Sequence, residues 1–85
     1  MDDLVINSHA FKHGLTADEI YSAWENPVAR MPRRSPHEDQ LVCVGVLPSG
    51  QLAQMIAAVV PDAVVVFHAM TPPQASVLKE LGIRR

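Results

Sequence analysis

Apolar and polar positions fall into blocks along this chain, and their order predicts helices first, then strands, then a helix. Leu4, Val5 and Ile6 form a short apolar run that predicts an opening strand. Ser8 is placed to cap a short helix through His13, which Gly14 would end at the position just past its last turn. The next helix is written more plainly. In Thr16-Ala17-Asp18-Glu19 the threonine hydroxyl can accept from the Glu19 amide while the Glu19 carboxylate reaches back to the Thr16 amide, and Leu15 and Ile20 fit the accompanying hydrophobic staple. Ala17, Ile20, Tyr21 and Trp24 recur at helical spacing, so this stripe is expected to face the core, and Asn26-Pro27 stops the helix near Asn26.

From Val28 to Asp39 the apolar character is lost and prolines, arginines and His37 appear, which predicts a loop with a short edge strand near Val28 to Met31. Valine-rich Leu41 to Leu47, the turn signal Pro48-Ser49-Gly50 and a second apolar run from Gln51 to Val60 predict an antiparallel hairpin. Pro61-Asp62 then turns the chain into a third strand, Ala63 to Met70, where regular alternation would put His68 on one face with Val64 and Val66. After it, Thr71 is placed to cap a last helix with Pro72 at its first position, an apolar stripe of Val77, Leu78 and Leu81, and Gly82 at its end. The expected fold is α+β, a small antiparallel sheet of three to five strands with two N-terminal helices and one C-terminal helix.

Composition narrows the class. With 85 residues, 48% of them hydrophobic and 19% charged, the chain has room for one domain over 1–85 and enough apolar mass to fill its core. A domain this small hides only about 60% of its unfolded surface. A homo-oligomer or a hetero-oligomer would therefore add stability. The single cysteine, Cys43, lies in an apolar run and reads as a core residue of a reducing cytoplasm. The acidic start and the break at Pro61-Asp62 argue against a signal peptide or a membrane span. Net charge is −2, from 7 basic and 9 acidic residues, which excludes a general basic nucleic-acid binder. The basic residues are nevertheless concentrated, in Arg30, Arg33-Arg34 and Arg84-Arg85.

Several residues bear on chemistry. His9 and His13 stand four apart and would share a helix face, yet no third ligand follows at a metal-binding spacing, so neither a metal nor a cofactor is expected. Lys12-His13-Gly14 places an ammonium and an imidazole at a helix end, either as electrostatic caps or as site residues. His68 is either a core imidazole satisfied by backbone or a site residue at a strand end. Arg30, Arg33, Arg34 and His37 either line a solvated face, with Glu38 and Asp39 offsetting their charge, or hold phosphates by ion pairing.

Taken in order, Lys12-His13-Gly14-Leu15, the Thr16-Ala17-Asp18-Glu19 helix, the Glu25-Asn26-Pro27 stop, the Val42 to Leu47 strand and Val66-Phe67-His68-Ala69-Met70 resemble the BrnT-type toxins of type II toxin–antitoxin systems. The resemblance covers most of the chain and implies a RelE-like fold and a metal-independent endoribonuclease, held inactive by a cognate DNA-binding antitoxin. Carried over by position, Lys12 and His13 match the family's basic block, and His68-Ala69 matches a segment that continues in relatives into a run of arginines. This chain departs there, with Met70-Thr71-Pro72-Pro73-Gln74-Ala75-Ser76. For the metal-free cleavage that the resemblance implies, His13, His68 and Lys12 are the candidate catalytic residues, and the basic residues Arg30, Arg33, Arg34 and Arg85 are the candidate contacts to RNA phosphates, with Arg84-Arg85 otherwise a solvated tail. The departure admits the alternative of a protein-interaction module on the same fold that has lost its catalytic cations.

Overall fold

The structure is a computed structural model and describes residues 3–83. Five strands, β1 (Asp3–Ile6), β2 (Pro27–Pro32), β3 (Gln40–Val46), β4 (Leu52–Val60) and β5 (Ala63–Met70), form one sheet in the order β1-β5-β4-β3-β2. Strands β3 to β5 are the antiparallel meander that the apolar runs and their turns predict, and β2, pairing antiparallel with β3, is the edge strand expected near Val28 to Met31, longer by one residue at each end. Helix α1 (Ala17–Glu25) packs on one face, and a short helix α2 (Ala75–Glu80) packs on the other.

Two features correct the expected fold. The sheet is mixed and not antiparallel, because β1 pairs parallel to β5, with Leu4 opposite Val64 and Ile6 opposite Val66. The short apolar run marks β1 as a strand but carries no information about which edge it joins, and the partner here is the last strand of the meander. There is also only one N-terminal α-helix among the described residues. The segment expected as the first is a single 3-10 turn, Ser8–Phe11, capped by Asn7, whose Oδ1 accepts from the His9 amide at 2.9 Å. Asn7 caps this turn on one side and Gly14, at φ 89°, closes the segment on the other, and of the six residues between them only Ser8 to Phe11 are helical.

The capping box of α1 is present in both directions, with Thr16 N–H donating to Glu19 at 2.9 Å and Glu19 N–H donating to Thr16 Oγ1 at 3.2 Å. Its inner side sets Ile20 and Ala23 against Leu15, Cys43, Met55, Ala57 and Val66. Trp24 is half-buried at the border of this core, whereas Tyr21, expected in it, is 39% exposed, with its hydroxyl donating to the Leu4 carbonyl. The helix sits so close to β3 that a Cβ built on Gly45 would lie 1.8 Å from the Ala23 carbonyl oxygen. Only a glycine admits this approach.

The opposite face carries a smaller core of Val42, Val44, Val77 and Leu78. Here α2 begins later than expected. Gln74 takes the cap position and Thr71 instead donates its hydroxyl to the Leu52 carbonyl at 2.6 Å.

Candidate functional site

His68 reaches the face under α2 through an irregularity in β5. Ala57 pairs with Val66 and Ile56 pairs with His68, so Phe67 is an extra residue with no partner of its own, a β-bulge. Val66 remains in the core beneath α1, but past the bulge the pleat is reversed: His68 lies on the face of Ile56 and Gln54, and Ala69 returns to the α1 core. The expected common face of Val64, Val66 and His68 is therefore broken, and the imidazole leaves an apolar core for a polar one.

Gln54 is what it meets there. This side chain, 0% exposed, is the buried polar residue of the core, and its amide is fully used. Its Oε1 accepts from the backbone N–H of Gln74 at 2.7 Å, while its Nε2 lies 3.0 Å from Gln74 Oε1 and 2.8 Å from His68 Nε2. Because a backbone amide can only donate, the Gln54 oxygen is assigned to Gln74 and its NH2 is turned to the histidine. Burial first, then the charges of His13 and Arg33, hold the His68 imidazole below its ordinary pKa.

His13 arrives from the other side. The 3-10 turn packs against β5, and the segment after it brings the His13 ring edge-on to His68, with centroids 5.5 Å apart and planes at 73°. Asn7, His9, Lys12, His13, Ile56, Phe67 and His68 together line an open cleft. Lys12 and His13 are exposed and make no side-chain hydrogen bond among the described residues. The structure thus brings together the catalytic set implied by the resemblance: His13, His68 and Lys12. His9 joins them on the cleft wall, but no group of three side chains with metal-ligand geometry occurs among the described residues.

The arginines do not converge in the same way. Arg30 lies opposite Cys43 in the β2–β3 register, its guanidinium stacked 4.1 Å over Trp24 and donating to the Trp24 carbonyl. Burial pushes the Cys43 thiol up, and the nearby Arg30 partly opposes that. Arg33 is on the other side of the sheet, forked onto Glu80 of α2 at 3.2 and 3.4 Å and onto Gln40 at 3.2 Å. Arg34 remains exposed and, with His37, Lys79 and Ser76, lines a separate shallow depression. Arg85 lies outside the described residues. Two of the expected phosphate contacts, Arg30 and Arg33, are therefore engaged in holding a helix end and a helix to the sheet.

Sequence reasoning named the histidines and missed Gln54 and Gln74. The available signal was a glutamine inside the apolar run of β4, since a buried amide needs partners for both its oxygen and its nitrogen. No helix among the described residues is long and apolar enough to cross a membrane. In comparisons with protein-family models, curated proteins and solved structures, nothing matches the chain.

Proposed function

We propose that this protein is a ribonuclease toxin of the BrnT type, acting in the cytoplasm and neutralised by a DNA-binding antitoxin laid over its cleft. The observation that carries the reading is the meeting of His13 and His68, from distant parts of the chain, in an open cleft beside an unpaired ammonium, Lys12. Cleavage of RNA without metal requires that the 2′-hydroxyl lose a proton, that its oxygen attack phosphorus, and that the 5′-oxygen gain a proton as its bond to phosphorus breaks. The products are a 2′,3′-cyclic phosphate and a 5′-hydroxyl. Imidazoles titrate in the range where such transfers are efficient, and Lys12 is placed to hold the phosphate.

The dispersal of the arginines favours a second reading, a partner-binding module on the same fold, since Arg30 and Arg33 already have partners within the chain. Incubation of the purified protein with a labelled unstructured RNA in chelator separates the two. Fragments ending in cyclic phosphate are the expected result. Strict dependence on an added divalent ion would rule out the proposed chemistry, and intact RNA with a folded protein would favour the binding module.

A further inference from the structure

We infer that Gln54 is a positioning residue that holds His68 in one tautomer, with the proton on Nδ1 and Nε2 bare. The backbone N–H of Gln74 fixes the Gln54 oxygen at 2.7 Å, and the oxygen of the Gln74 side chain takes one proton of the Gln54 amide at 3.0 Å. The remaining amide proton points at His68 Nε2, 2.8 Å away, which can only accept it. A proton on Nε2 would set two donors against each other inside a core where Gln54 has no exposure to water. Geometry and environment agree. Burial and the charges of His13 and Arg33 oppose protonation of the same ring; Lys12 and His9 also line the cleft, while Glu80 faces Arg33 and not the histidine.

The consequence for catalysis rests on the ribonuclease reading. With Nε2 occupied, the ring's remaining polar atom is a donor, so His68 gives a hydrogen bond to the phosphate and is not the base. His13 then takes the 2′-hydroxyl proton and returns it to the 5′-oxygen, leaving both imidazoles as they began.

The tautomer can be read without any substrate, from long-range proton–nitrogen NMR spectra of the protein at neutral pH. Protonated Nδ1 with bare Nε2 at His68 is the expected pattern. In Gln54→Glu the carboxylate still accepts from Gln74 but can no longer donate, so the proton is expected to move to Nε2 and the His68 titration to shift to higher pH. A proton on Nε2 in the parent, a mixture of tautomers there, or an unchanged tautomer in folded Gln54→Glu would each overturn the inference. A parent protein with the expected tautomer that cuts no RNA would leave the positioning role standing and remove the ribonuclease reading. One that cuts RNA with a mixed tautomer would do the reverse.

Discussion

The two faces of the sheet solve different problems. Under α1 the contact is dry and close, with Ile20 and Ala23 seated on Cys43, Met55 and Val66 and no room even for a methyl group at Gly45. Under α2 the apolar patch is smaller and is shared with Gln54, Gln74, His68 and the Arg33–Glu80 pair. The helix lengths differ to match, nine residues against six. One face supplies stability through apolar burial, and the other spends part of its area on polar groups that orient an imidazole. A small domain can carry such a site because the opposite face does not share the cost.

The sharpest way to break the stabilising face alone is Gly45→Ala. The added methyl must displace the backbone of α1, so unfolding stability is expected to fall by roughly 3 kcal/mol or more, read from the denaturant midpoint. A loss below about 1 kcal/mol would mean that α1 rests on β3 less tightly than described. Thr16→Ala tests the same face more gently. It removes one half of the capping box and is expected to cost about 1 kcal/mol, with no change at the histidine cleft.

The polar face shows itself through pH. Because the His68 pKa is lowered in the fold, the unfolded chain takes up a proton first as pH falls from 6.5. The stability linked to this group is complete above that value and is lost as pH falls through the lower pKa of the folded state. Unfolding midpoints measured across this range are therefore expected to drop more steeply in the parent than in His68→Ala, and equal slopes would remove His68 from the account.

How much of this was legible in the sequence depends on whether the signal is local. The capping box, the β3–β4 hairpin and β5 follow from caps, turn residues and apolar runs within a few positions. The pairing of β1 with β5 depends on a contact between segments 60 positions apart, such as Asp3 with Ala63, and the cap and glycine signals around Ser8 to His13 mark a helical turn without distinguishing a 3-10 turn from an α-helix. At the site, Lys12, His13 and His68 stood out by residue type. The bulge at Phe67, which decides the face His68 occupies, leaves no mark in the alternation of Val64 to Phe67, since every residue there is apolar. Arg30 and Arg33 looked like one basic loop because they are near in sequence, yet they lie on opposite sides of the sheet.

The proposed division of labour gives the chemistry to the cleft between the 3-10 turn and β5 and the stability of the fold to the α1 face. It is tested most directly by measuring RNA cleavage and thermal unfolding together in the parent and in a His13→Ala, His68→Ala double variant purified identically. The expected result is a cleavage rate lower by about 100-fold or more in a protein that still unfolds cooperatively, with the melting temperature lowered by roughly 5 to 15 °C because Gln54 loses its His68 partner. Equal cleavage by the two proteins would contradict the claim.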